Sequence, residues 1–138
     1  MNTILLIVLA STPSDLRPLL DAIRTVESGG NDRAVGDNGV SRGPYQIKRG
    51  YWADSRVRLP YDRLVWDRAS SEQVVVAYWR RYCPKALRAN DWQTLARVHN
   101  GGPAGARKAA TRDYWLKVRG RLRASAGGRG GAAVPKAR

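Results

Sequence analysis

Leu16-Arg17-Pro18-Leu19-Leu20-Asp21-Ala22-Ile23-Arg24-Thr25-Val26-Glu27-Ser28-Gly29-Gly30 is the stretch that decides the fold. Leu16, Leu19, Leu20, Ile23 and Val26 recur at the three-four spacing of a helix with one buried face. Glu27 follows Leu20 by two turns and Ile23 by one, so a charged residue stands where the pattern asks for an apolar one. Burial and the negative end of the helix dipole both disfavour the carboxylate there and push its pKa upward. An acid that keeps its proton near neutral pH suits general acid catalysis. The plainer alternative is a stripe that frays at the helix end, with Glu27 pointing into water. Gly29-Gly30 stops the helix, and Ser14 or Asp15 is placed to cap its start, with Pro18 tolerated in the first turn.

Downstream, residues 31–42 are polar, and Gly36-Asp37-Asn38-Gly39 is a strong turn signal joining two short strands, Ala34-Val35 and Val40-Ser41. Asp37 is therefore a second carboxylate, in a solvated turn where its pKa stays low; its bland role is that of a turn former. Gly43-Pro44-Tyr45-Gln46-Ile47 follows, with Tyr45 and Gln46 expected on a cleft wall. Residues 56–67 read as irregular around Pro60. Ser70 and Gln73 have capping-box spacing ahead of a helix with Val74, Val75, Tyr78 and Tyr82 on one face, ended by Pro84. Asn90 or Asp91 opens a helix with Trp92, Leu95, Ala96 and His99 on one face, and Asn100-Gly101-Gly102-Pro103 stops it. A last helix opens at Thr111 and turns Tyr114, Trp115, Val118 and Leu122 inward. One helix, a small hairpin and then several helices make an α+β domain, mainly α.

The chain's 138 residues suit one domain over residues 14–123. Residues 1–13 read either as a signal peptide or as an apolar N-terminal segment, and the apolar run 4–10 is too short to span a bilayer. Residues 124–138, rich in Gly, Ala, Arg and Lys, read as a basic disordered tail. The formal net charge of +14 implies an anionic partner, whether nucleic acid, membrane or cell-wall polymer. Nucleic acid is disfavoured, because the aromatics are not interleaved with basic residues in one stripe. A single cysteine, Cys83, forbids an intrachain disulfide, and with His99 the only histidine neither a cysteine-rich nor a His-paired metal site can be built. No metal or other cofactor is expected.

Several blocks resemble the invertebrate-type, destabilase-like lysozymes. They are Glu27-Ser28-Gly29-Gly30, Gly43-Pro44-Tyr45-Gln46-Ile47-Lys48, Tyr51-Trp52-Ala53-Asp54, Leu95-Ala96-Arg97-Val98-His99-Asn100-Gly101-Gly102-Pro103, and Thr111 with Tyr114-Trp115. They occur in the family's order and cover roughly residues 15–118; a looser similarity extends to lytic transglycosylases. The resemblance implies a lysozyme-like fold with a small β-hairpin beside the catalytic helix. It implies cleavage of the β-1,4 bond between N-acetylmuramic acid and N-acetylglucosamine in peptidoglycan glycan strands, with Glu27 as general acid and Asp37 as the second carboxylate. Ser28, Tyr45, Gln46, His99, Asn100 and Tyr114 are the accompanying substrate-binding candidates. The family is cysteine-rich and this chain is not, which points to a bacterial member. A secreted or periplasmic monomer is expected, with anionic wall polymers as further partners of its basic surface. Two rival functions remain: a lytic transglycosylase giving anhydromuramyl products, and an inactive basic polyanion-binding protein.

Overall fold

The structure, a computed structural model, describes residues 13–128. The apolar run 4–10 and the end of the basic tail lie outside them. A 3-10 turn, Ser14–Leu16, leads into α1 (Arg17–Ser28). Leu19, Leu20, Ala22 and Ile23 are buried, as their spacing requires. Each large aliphatic side chain on that face contributes about 1.5–3 kcal/mol from burial. The cap position falls after both expected residues. Leu16 occupies the cap position with no side-chain bond, and Asp15 instead accepts a hydrogen bond from Asn90 Nδ2 at 3.0 Å. The preceding 3-10 turn enters the helix directly, and Pro18 falls where its missing N–H is not needed. At the far end Gly29 adopts φ +62° and its N–H closes on the Thr25 carbonyl at 2.9 Å.

The hairpin pairs β1 (Val35–Gly36) with β2 (Ser41–Arg42), antiparallel, Val35 opposite Arg42 and Gly36 opposite Ser41. Both strands sit one residue later than expected, because the tight turn Asp37–Gly39, with Asp37 and Asn38 at positive φ, leaves Gly36 to the first strand. Residues 43–47 loop back so that Arg42 and Ile47 exchange two backbone hydrogen bonds. Gly43 is at φ +79°, and a Cβ there would fall on the Val65 carbonyl oxygen, so no larger residue fits this crossing.

Next come α2 (Arg49–Asp54), α3 (Tyr61–Leu64), α4 (Arg68–Tyr82), α5 (Pro84–Arg88), α6 (Trp92–Gly101) and α7 (Thr111–Gly127). The segment expected to be irregular holds α3, because Pro60 sits just ahead of the helix and not inside it. Asp67, not Ser70, caps α4: it accepts from the Ser70 N–H at 2.9 Å, so the helix starts nearly a turn earlier than the capping-box reading. Asp91 caps α6 as expected, through the Thr94 N–H. Helix α7 runs to Gly127, past the expected tail boundary at Ala124, since alanine and arginine favour helix once a helix is under way.

Helices α1, α6 and α7 pack against one another, and α4 joins them through α6. Trp79 is wholly buried among them and donates its indole N–H to the Leu95 carbonyl at 2.8 Å. A second device joins α1, α4 and the 43–47 loop. Glu72, 5% exposed, receives both Arg17 guanidinium nitrogens (2.7 and 2.5 Å), Arg68 Nε (3.1 Å) and the Tyr45 hydroxyl (2.7 Å). Although burial opposes the anion, the hydrogen bonds from Arg17, Tyr45 and Arg68 outweigh it and hold the Glu72 pKa down at about 2. Cys83, between α4 and α5, is a free thiol pushed up to about 12 by burial. No helix among the described residues is long and apolar enough to cross a membrane.

Candidate active site

Where α1 ends, beside the hairpin and the end of α6, a cleft of about 290 Å³ opens. It is lined by Glu27, Asp37, Ser41, Gln46, Lys48, Tyr51, His99, Asn100 and Gly102. Both expected carboxylates are therefore on one wall system, in two different environments. The Glu27 side chain is 18% exposed, with Oε1 3.5 Å from His99 Nε2. Asp37 is largely exposed, at φ +50° in the hairpin turn. Its Oδ2 accepts a 2.6 Å bond from Ser41 Oγ and lies 3.6 Å from Lys48 Nζ. The Ser41 hydrogen bond first, and the Lys48 charge second, hold the Asp37 carboxyl below the usual carboxylate range.

Gln46, His99 and Asn100 also reach the cleft; Ser28, Tyr45 and Tyr114 do not line it. Gln46 spends its amide N–H₂ on the hairpin backbone, donating to the Ala34 and Gly43 carbonyls at 3.0 and 3.1 Å. That pins the hairpin to the loop and leaves the amide oxygen as its remaining acceptor. Asn100 is exposed at the end of α6, its amide at the cleft edge.

Three expected cleft residues need correction. Tyr45 is not on the wall but wholly buried. The turn at Gly43 and the positive φ of Gln46 send its ring inward, where Glu72 satisfies the hydroxyl. Ser28 serves its own helix end, donating to the Arg24 carbonyl at 2.9 Å and accepting from the Gly30 N–H at 3.3 Å. Tyr114 is a core residue of α7, and its buried hydroxyl makes no hydrogen bond of ordinary geometry. It is nonetheless near Glu27. Burial, and then the Glu27 charge, push the Tyr114 phenol well above its ordinary range and keep it a donor.

Ser41, Lys48, Tyr51 and Gly102 are cleft residues that sequence reasoning missed. Lys48 and Tyr51 stood inside the quoted blocks, but nothing in their spacing pointed toward a carboxylate. Ser41 follows Asp37 at the distance a tight turn closes, a signal that was available. The arrangement as a whole can do one kind of chemistry well. It offers a partly desolvated carboxyl, a second carboxylate held as an anion, and amides at the rim of a trough open to solvent.

Comparison with known proteins points to one family. The model of the Destabilase family fits residues 18–120. Lysozyme 1 of Crassostrea virginica is 38% identical over 104 residues, 72% of this chain and 55% of that protein. The lysozyme of Magallana gigas is 35% identical over 104 residues, 72% of this chain and 74% of that protein. The chain thus spans little more than half the length of the Crassostrea virginica relative. Among solved structures, the lysozyme of Tapes japonica is similar at a TM-score of 0.64 and 30% identity, covering 75% of this chain and 87% of that one. The lysozyme of Meretrix lusoria, solved in complex with Aeromonas hydrophila PliI, is similar at a TM-score of 0.64 and 32% identity, covering 75% and 88%. With the family match running from residue 18 to residue 120, through every element that lines the cleft, the chain belongs to the Destabilase family.

Proposed function

We propose that this protein is a muramidase, hydrolysing the β-1,4 bond between N-acetylmuramic acid and N-acetylglucosamine in peptidoglycan. The observation that carries the reading is the shared cleft of Glu27 and Asp37. Breaking a glycosidic bond needs a proton for the leaving oxygen and a negative group near the oxocarbenium-like transition state. Glu27, at the end of α1 and mostly screened from water, delivers the proton. Asp37, anchored as an anion by Ser41 and Lys48, faces the developing positive charge. Asn100 and the free oxygen of Gln46 bind sugar substituents at the rim. Peptidoglycan lies outside the cytoplasmic membrane, so the reading carries with it export to the periplasm or beyond.

The lytic transglycosylase alternative is less well supported. It has no use for a second carboxylate in the cleft, and the relatives named above are lysozymes. The test is clearing of purified cell walls by the parent protein and by Glu27→Gln. Loss of a general acid costs about 10²–10⁴-fold in rate, and equal clearing by the two proteins refutes the assignment. Mass spectrometry of the released fragments separates the two reactions: hydrolysis adds one water per bond broken, while transglycosylation leaves anhydromuramyl ends.

A further inference from the structure

His99 is buried against the proton donor, its side chain 3% exposed, and both ring nitrogens are engaged. Nε2 lies 3.2 Å from the Tyr45 backbone carbonyl and 3.5 Å from Glu27 Oε1. Nδ1 lies 2.9 Å from the Tyr51 hydroxyl. A backbone carbonyl oxygen only accepts, so Nε2 must carry the hydrogen; in the neutral ring Nδ1 is then the acceptor and Tyr51 donates.

Both groups that set this tautomer are themselves fixed. The Tyr45 carbonyl belongs to the residue whose hydroxyl is held by Glu72. The Tyr51 ring is stacked on Tyr78, centroids 3.8 Å apart and planes 6° from parallel. The imidazole thus has one orientation, with its single N–H given to the Tyr45 carbonyl and the Glu27 carboxyl 3.5 Å from the same nitrogen.

We infer that His99 is a positioning residue for Glu27: its Nε2–H stands beside the carboxyl in the resting enzyme and takes hold of it as the proton leaves. Before transfer, the N–H rests on the nearer acceptor, the Tyr45 carbonyl. As Glu27 gives its proton to the leaving oxygen, the new carboxylate becomes the stronger acceptor and draws the N–H across. That interaction grows toward the transition state, so it acts on kcat and leaves substrate binding alone. His99 neither donates nor takes a proton in this scheme, and neither nitrogen is free for substrate. The inference rests on the assignment of Glu27 as proton donor.

The test compares His99→Met with His99→Gln on a soluble peptidoglycan oligosaccharide. Methionine fills the space without a donor; glutamine restores an N–H near the Nε2 position. The expected result is a fall in kcat of about 100-fold for His99→Met, the lower end of what losing one preorganised donor costs. KM should stay within about twofold and His99→Gln should recover most of the rate. Equal kcat for the two variants overturns the inference, as does a raised KM with kcat unchanged, which marks a substrate contact.

Thermal melts of both variants show whether either is unfolded. Should His99→Met not fold, Tyr51→Phe serves instead: it keeps the stack on Tyr78 but frees Nδ1, and an unchanged kcat there overturns the inference equally. Glu27→Gln separates the two levels. A fully active Glu27→Gln removes the proton donor itself, whereas an inactive Glu27→Gln beside a fully active His99→Met removes the role of His99 alone.

Discussion

Asp37 is held as an anion by neighbours that chain order makes local: Ser41 across the turn of the hairpin and Lys48 just beyond it. Its pKa in the folded protein is lowered, so the charge survives as pH falls and is lost only when pH passes below that lowered value. Ser41→Ala removes the larger of the two causes. The acidic limb of kcat/KM against pH, measured on a soluble oligosaccharide, should move to higher pH in that variant. A limb that stays put shows that Asp37 is not the group titrating there. At this scale the sequence was readable wherever a residue broke a period. Glu27 betrays itself by standing on the leucine face of α1, and the structure puts it at the cleft. Tyr45 gives no such sign. Whether a turn residue points in or out depends on backbone angles at Gly43 and Gln46, and on a carboxylate 27 residues away in the chain.

Among the elements, the joint of α1, α4 and the 43–47 loop depends on Glu72. Its pKa in the folded protein is depressed from 4.5 to about 2, so its contribution is complete above the unfolded value and fades as pH falls toward 2. Arg17 and Arg68 are each more than a third exposed, so solvent screens the pairing, and the contribution is on the order of 2 kcal/mol. Thermal unfolding of the parent should therefore weaken between pH 4.5 and pH 2, and Glu72→Gln should lose stability at neutral pH while flattening that acid dependence. A parent-like melting curve at both ends of the range would show that the cluster is not stabilising. Sequence reasoning passed over Glu72 because a charge within a helix ordinarily faces water. Its burial is intelligible only once Arg17 from another helix and Tyr45 from the loop are seen to converge on it. Helix existence was legible from three-four spacing in α1, α4, α6 and α7. Helix starts were less so, since Asp67 and Ser70 both offer cap chemistry and only the course of the chain ahead of α4 chooses between them.

The whole molecule carries 25 basic and 11 acidic residues. Several of the acids are already engaged: Asp21, Asp37, Asp62 and Glu72 in ion pairs, and Asp67 and Asp91 at helix caps. The net field is therefore positive and reaches about a Debye length, ~10 Å at 0.1 M salt. Clearing of cell walls that bear anionic polymers should slow as sodium chloride rises, while cleavage of a neutral soluble oligosaccharide should change little. Equal salt sensitivity for both substrates would place the effect inside the cleft and not at the surface.

The thiol between α4 and α5 also bears on how the protein is made. Its sulfur has no partner within the chain, and the parts are fastened by an ionic knot under the loop and by a packed aromatic interior. No oxidation step separates the newly synthesised chain from its finished shape. Within this chain there is no disulfide to close, so the fold of the described residues forms without an oxidant and survives a reductant.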